Sequence, residues 1–327
     1  MRIGINGLGR IGRGLLRALL RDGRHRVAAV NDVAEGRVLA HLLNHDSYYG
    51  ATHLEAAAEG ETLSVGGASI PLFRCPDPVE IPWEETGVDW VVEATGRFKD
   101  RRGLESHRRP TLLTASSPDA DRQVVFGVNH KEIRPQERIL SATSCTTHCL
   151  VPPLWALASR FAVDSVLFNT VHCYNVSQTL VDAPQRDLRR ARAAGLNLIP
   201  TTTSASLAVE SVLPLLSGRV RGMAVRVPAP AVSLTEITLC LEHPTTPEAV
   251  VKCLEEAADG PLRGILALSR EELVSQDFLG HPASSIVDTG LTQTLGRMAR
   301  VVAWYDNESG YIHRLLDLLT YLEGGVS

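Results

Sequence analysis

Met1-Arg2-Ile3-Gly4-Ile5-Asn6-Gly7-Leu8-Gly9-Arg10-Ile11-Gly12-Arg13-Gly14-Leu15-Leu16-Arg17-Ala18-Leu19-Leu20 is the stretch that decides the fold. Residues 2–6 alternate apolar side chains and stop at a glycine, as a short strand does. Over residues 11–20 the apolar positions recur at helical spacing. Between the two, Gly7, Gly9 and Gly12 form a G-x-G-x-x-G. The first glycine permits a tight turn. The second lets backbone approach a pyrophosphate at the helix N-terminus, and the third lets the helix pack close to the strand. A second apolar run, residues 26–30, ends at Asn31-Asp32, where an acid about 20 residues beyond the glycines binds ribose hydroxyls. A carboxylate there also repels a 2′-phosphate, so the pattern favours NAD over NADP. The same residues could serve an ordinary turn and a surface aspartate; strand, spacing and acid together favour the cofactor. Gly7, Gly9, Arg10, Ile11, Gly12 and Asp32 are therefore candidate cofactor residues.

Outward from this unit, short apolar runs at 89–93, 111–114, 123–128 and 138–140 alternate with helical segments. Such alternation predicts an α/β fold, a Rossmann-type parallel sheet covered on both faces. The second half reads differently. Long strands are expected at 165–173, 223–227, 232–241 and 301–305, with a helix at 204–216 and a terminal helix at 307–322. That pattern predicts an α+β domain on a mixed, largely antiparallel sheet. The expected organisation is an NAD-binding domain of residues 1–144, completed by the C-terminal helix 308–327, and a catalytic domain of residues 145–307.

The 327 residues carry 33 Lys+Arg against 37 Asp+Glu, a formal net charge of -4, with 44% hydrophobic and 21% charged residues. Disorder is excluded by the apolar content. Near-neutrality removes any bulk reason to bind nucleic acid or an anionic membrane. No run approaches the roughly 18 apolar residues of a membrane span, and no secretory leader is legible, so a cytoplasmic protein is expected. Six cysteines without a C-x-x-C pair suggest neither a disulfide frame nor a zinc knuckle. His41 and His45 have helical i, i+4 spacing but lack the third ligand and base of a metal helix, so no metal is expected.

Ser144-Cys145-Thr146-Thr147-His148-Cys149 follows a strand and opens a helical run at 150–158. A cysteine at a helix N-terminus is expected to have a lowered pKa. The best candidate base is His172, at the end of the long strand. Taken alone, either residue is more often structural.

With these residues in view, the chain resembles the phosphorylating glyceraldehyde-3-phosphate dehydrogenase family. The resemblance is carried by Ile5-Asn6-Gly7 through Arg13, Asn31-Asp32, His45-Asp46-Ser47, Glu93-Ala94-Thr95-Gly96, Phe126-Gly127-Val128-Asn129, Ser144 to Thr147, the run Asp187 to Ala194, Ile199-Pro200-Thr201, Val225-Arg226-Val227-Pro228 and the run Trp304 to Glu308. It implies that Cys145 attacks an aldehyde to form a thiohemiacetal, that His172 is the base, and that phosphate resolves a thioester into an acyl phosphate. It also implies a phosphate-binding set of Ser144, Thr146 and Thr203 for the incoming anion, with Asn175 and Arg226 on the substrate phosphate. Arg190 would stand in a closing loop and Asn307 on the nicotinamide carboxamide. Thr95 and Thr114 would line the cofactor cleft. Asp32 and Pro184 match the NAD pattern, whereas Ala183 is small where Leu is common, which leaves some NADP use open. A homotetramer is implied by the resemblance alone.

The chain also departs from that family. Asn175 stands for Thr, Ser177 for Asp, Ser204 for Gly, Leu207 for Lys, His148 for Asn, Ala142 for Asn and Ser309 for Trp. Segments near 108–110 and 291–297 are short. The expected activity is NAD-dependent oxidative phosphorylation of glyceraldehyde 3-phosphate to 1,3-bisphosphoglycerate. Alternatives are a relative acting on erythrose 4-phosphate, one using arsenate as acceptor, and an NAD-binding regulatory paralogue with weak catalysis.

Overall fold

A computed structural model describes residues 1–325. The chain divides into two compact units, Met1–Thr143 with the chain from Leu315 onward, and Ser144–Arg314.

The first unit holds β1 (Arg2–Asn6), α1 (Arg10–Asp22), β2 (Arg26–Asn31), α2 (Gly36–Asn44), a ribbon of β3 (His45–Asp46) and β4 (Gly50–Ala51), then β5 (Ala57–Glu59), β6 (Thr62–Val65), β7 (Ala68–Phe73), β8 (Trp90–Glu93), α3 (Arg101–Glu105), β9 (Thr111–Leu113), β10 (Arg122–Gln123) and β11 (Ile139–Ser141). Its nine-stranded sheet runs β10-β11-β9-β8-β1-β2-β7-β6-β5. All pairings from β10 to β7 are parallel, and β5, β6 and β7 add an antiparallel meander at the edge. Ile3, Ile5, Ala29, Val30, Val91 and Val92 are fully buried, as strands covered on both faces require. Helix α1 buries Leu15, Leu16 and Leu19 and stops at Gly23, whose φ of 68° allows its N–H to close on the Leu19 carbonyl. The chain goes from β1 to β2 on one side and later enters β8 on the other, so the crevice beyond these strand ends is a topological switch point.

The second unit holds α4 (Cys145–Arg160), β12 (Val163–Cys173), β13 (Ile199–Thr201), α5 (Ala205–Val212), β14 (Val220–Val227), β15 (Ser233–Leu241), α6 (Pro247–Asp259), β16 (Leu266–Ser269), β17 (Ser285–Leu295), β18 (Met298–Tyr305) and the start of α7 (Ser309–Glu323). Its seven-stranded sheet runs β13-β14-β12-β15-β18-β17-β16. Only β12 with β14 and β16 with β17 are parallel. Along β15 every second residue is buried, which turns one face toward α4.

Three expectations about elements need correction. The strand expected over 123–128 is only Arg122–Gln123. Beyond it the Asn129 side chain holds a turn, accepting from the Val125 N–H and donating to the Gln123 carbonyl. The helix expected over 204–216 ends at Val212, because Pro214 has no N–H to continue it and starts a 3-10 turn instead. Helix α6, capped by Thr246 and opened by Pro247, falls in a stretch expected to have few helices.

Candidate active site and cofactor cleft

In the first unit the strand ends frame a cleft of about 220 Å³, lined by Gly7, Gly9, Asn31, Asp32, Thr95 and Phe98 among others. Gly7 has φ +94°, and a Cβ there would meet the Thr95 backbone nitrogen at 2.7 Å. At Gly12 a Cβ would lie 1.9 Å from the Gly7 carbonyl oxygen. Around Gly9 there is open space, and no side chain caps the first turn of α1. The N-terminus of α1, at Arg10 and Ile11, thus opens onto space that suits an anion. Asp32 is oriented by two backbone donors, Leu8 N–H to Oδ2 at 2.7 Å and Ala34 N–H to Oδ1 at 2.9 Å. An anion cradle at a helix N-terminus beside a fixed carboxylate suits a dinucleotide, whose pyrophosphate and ribose need those two things. Thr114 stands off this lining; its N–H and hydroxyl both donate to the Glu93 carbonyl.

In the second unit Cys145 is the first residue of α4. The Ser144 hydroxyl caps the helix, accepting from Thr147 N–H at 3.2 Å and sharing a hydrogen bond with the Thr147 hydroxyl at 2.9 Å. Thr143, just before, has φ +53°, an uncommon conformation for a β-branched residue. Cys145 Sγ lies 3.5 Å from His172 Nε2. Parallel pairing of β12 with β14 sets His172 against Arg226 and Cys173 against Val227. The Arg226 guanidinium accordingly touches His172 Nδ1 and donates to the Cys173 carbonyl at 3.0 Å. Nδ1 also faces that same carbonyl, 2.7 Å away, which turns Nε2 toward the sulfur. The Tyr305 ring stands edge-on to the imidazole at 5.9 Å, and its hydroxyl bridges the Thr146 and Thr170 hydroxyls at 3.1 and 2.9 Å.

Burial pushes the Cys145 thiol up, while Arg226 and the Thr146 N–H and hydroxyl pull it down. The net direction is upward, which corrects the expectation that the helix N-terminus alone would lower it. Burial, then the Arg226 charge, lowers His172 to about 3, so its imidazole is neutral at neutral pH. Burial raises Cys149 and Cys173 to about 12.

The other expected residues sit as follows. Asn307 accepts from the Cys173 thiol at 3.1 Å. Arg190 donates to the Thr201 hydroxyl at 2.8 Å, on β13, which pairs with β14 opposite Arg226. Thr203 accepts from Ala205 N–H at 3.1 Å, and Ser204 is the exposed N-cap residue of α5 with no side-chain bond to the helix. Asn175 is exposed and accepts from the Ser177 N–H and hydroxyl. His148 packs edge-on against Tyr311 at 5.4 Å, buried inside the unit. Cys173, which links His172 to Asn307, carries no signal in the sequence beyond its place next to His172. Among the described residues no group of three or more His, Cys, Asp or Glu side chains could hold a metal ion, and no helix is long and apolar enough to cross a membrane.

Residues 1–101 match the family model described as glyceraldehyde 3-phosphate dehydrogenase, NAD binding domain, and residues 144–307 match that of the C-terminal domain. The chain belongs to the glyceraldehyde-3-phosphate dehydrogenase family. It is 44% identical to the glyceraldehyde-3-phosphate dehydrogenase of Geobacillus stearothermophilus, over 98% of each chain. It is 43% identical to that of Kitasatospora aureofaciens, again over 98% of each, and 42% identical to that of Mycobacterium avium, over 98% of this chain and 97% of the other. The NAD-binding model over residues 1–101 makes NAD the cofactor of this chain.

Proposed function

We propose that the chain oxidises glyceraldehyde 3-phosphate with NAD and inorganic phosphate to 1,3-bisphosphoglycerate. The observation that carries this reading is the 3.5 Å approach of Cys145 Sγ to His172 Nε2 at the head of α4. As sulfur attacks the aldehyde carbon and the C–S bond forms, the thiol proton passes by way of Nε2 to the carbonyl oxygen, giving a thiohemiacetal. Nε2 is then free to take the new hydroxyl proton as the carbon gives up its hydride, which leaves a thioester. NAD, when bound, supplies the hydride acceptor. Phosphate attacks the thioester carbon, the C–S bond breaks, and Cys145 leaves with the electron pair as thiolate.

In this reading Arg226 and Asn175 hold the substrate phosphate, and Ser144, Thr146, Thr203 and Ser204 receive the attacking one. Arg190 braces that wall through Thr201, and Asn307 meets the nicotinamide carboxamide. The unit Met1–Thr143 with the chain from Leu315 onward serves as the cofactor domain and Ser144–Arg314 as the catalytic domain, so the expected boundary at 307/308 moves to 314/315 within α7. The working form is a cytoplasmic homotetramer. The test is NADH formation from glyceraldehyde 3-phosphate and NAD, with phosphate present, omitted or replaced by arsenate, beside a Cys145→Ala control. Phosphate-dependent turnover, lost by a factor of at least about 10³ in the control, is expected. Turnover that survives Cys145→Ala would overturn the reading.

A further inference from the structure

Beneath the cofactor cleft lies a line of buried polar groups that no step above uses. Trp83, Glu93 and His107 are each at most 2% exposed. The Trp83 indole N–H donates to His107 Nδ1 at 3.2 Å. An indole can only donate, so Nδ1 must accept and the ring proton sits on Nε2. Nε2 faces Glu93 Oε2 at 3.0 Å. The same oxygen accepts from the Asn6 amide at 2.5 Å, while Oε1 accepts from the Thr95 N–H at 2.8 Å and from the Thr95 hydroxyl. Asn6 in turn accepts from Asn31 at 2.8 Å. Asn6, Asn31 and Thr95 line the cleft, whereas Trp83, His107 and Glu93 do not.

The directions of these bonds have a consequence for the ligand. Thr95 gives its hydroxyl proton to Glu93 and accepts from the Arg97 N–H at 3.1 Å. It can therefore offer the cleft only a lone pair, alongside the Asp32 carboxylate. These two acceptors suit the donor groups of a nucleoside, its ribose hydroxyls and exocyclic amine.

We propose that His107 is a positioning residue for the dinucleotide: held in one tautomer by Trp83, it fixes Glu93, and Glu93 fixes Thr95 as an acceptor on the cleft lining and holds Asn6 beside it. The proposal rests on the NAD reading of that cleft. A buried carboxylate that loses one donor recruits others or water, and its remaining partners shift. The test compares wild type with His107→Leu and His107→Gln, reading the NAD dissociation constant by fluorescence titration, KM for NAD, kcat and melting temperature. Glutamine can both accept from Trp83 and donate to Glu93. The expected result is a dissociation constant and KM for NAD raised about tenfold in H107L, kcat within about twofold, and H107Q within about twofold of wild type throughout. An H107L protein that melts lower yet binds NAD as wild type does overturns the proposal, as does an H107Q protein as weak as H107L. Should H107L not fold, Trp83→Phe takes its place: a rise of about threefold supports the proposal and no change overturns it. Wild type that fails to bind NAD at all overturns the cofactor reading and this inference with it, whereas unchanged binding in the variants overturns this inference alone.

Discussion

Gly9 and Gly12 lie three residues apart in one turn, yet the same substitution at each should give opposite results. At Gly12 an added methyl would sit 1.9 Å from the Gly7 carbonyl oxygen, more than 1 Å inside the 3.0 Å limit that real Cβ atoms respect. The clashing atom is backbone, so no rotamer relieves it, and the N-terminus of α1 must move away from β1. Overpacking of this kind costs about 1–3 kcal/mol. For a unit of this size that corresponds to a melting temperature lower by about 2–12 °C. At Gly9 a methyl meets nothing within 4 Å, and φ of -66° suits alanine. Stability should change there by no more than about 1 kcal/mol, the weakness of alanine as an N-cap. What Gly9→Ala should remove is the space for a pyrophosphate above the helix N-terminus. The assay is a thermal melt of each variant with and without NAD, together with NAD titration. Gly12→Ala should melt early even without cofactor. Gly9→Ala should melt like wild type alone and lose most of the upward shift that NAD confers. A Gly9→Ala protein that binds NAD normally would refute the placing of the pyrophosphate; an undisturbed Gly12→Ala melt would refute the packing argument.

Arg226→Leu should raise the His172 titration from about 3 toward the ordinary 6.5, because a positive charge in contact with the ring is removed while burial remains; imidazole NMR reads this directly. Asp46 is pushed up by burial but brought down to about 2 by the Tyr48 N–H, Arg17, Arg10 and the Tyr49 N–H. Its lowered pKa contributes about 2 kcal/mol of stability that is present above about pH 4 and lost as pH falls toward 2. Urea unfolding of Asp46→Asn against wild type should therefore show a gap that closes across that window. Ser144→Ala removes the cap of α4 and should cost about 1 kcal/mol in thermal unfolding, whereas Ser144→Gly should cost only a few tenths.

The strand–turn–helix at the N-terminus was legible because everything that defines it is local: period, glycine spacing and the acid at the end of the next strand. Cys145 as a helix-opening residue and His172 as a strand-end residue were legible for the same reason. The partner that most affects His172 was not. Arg226 lies 54 residues away and reaches the imidazole through the parallel register of β12 with β14, a pairing that periodicity cannot specify. The raised pKa of Cys145 is not legible in the sequence, because a helix N-terminus is visible there and desolvation in a partly buried site is not. His107 is hidden in the sequence for a related cause. It falls after α3, beside Arg108 with φ +54°, in a stretch that reads as loop, and only the fold shows its ring between Trp83 and Glu93.

Those two corrections bear on one another at the thiol. With Cys145 raised and His172 lowered, the pair rests as thiol and neutral imidazole 3.5 Å apart, not as an ion pair. Moving the proton from sulfur to Nε2 leaves the net charge of the pair unchanged. Arg226 favours the thiolate and disfavours the imidazolium, and it touches the imidazole. Since Coulomb energy falls with distance, the repulsion outweighs the attraction, and Arg226 at this position opposes the transfer. In the proposed function the same guanidinium is the ligand of the substrate phosphate, whose negative charge would offset that repulsion. The proton would then move most readily when a phosphorylated aldehyde is present, and least readily toward water or a stray electrophile. A neutral resting pair is therefore compatible with a cysteine nucleophile in this site, without the helix N-terminus having to supply a standing thiolate.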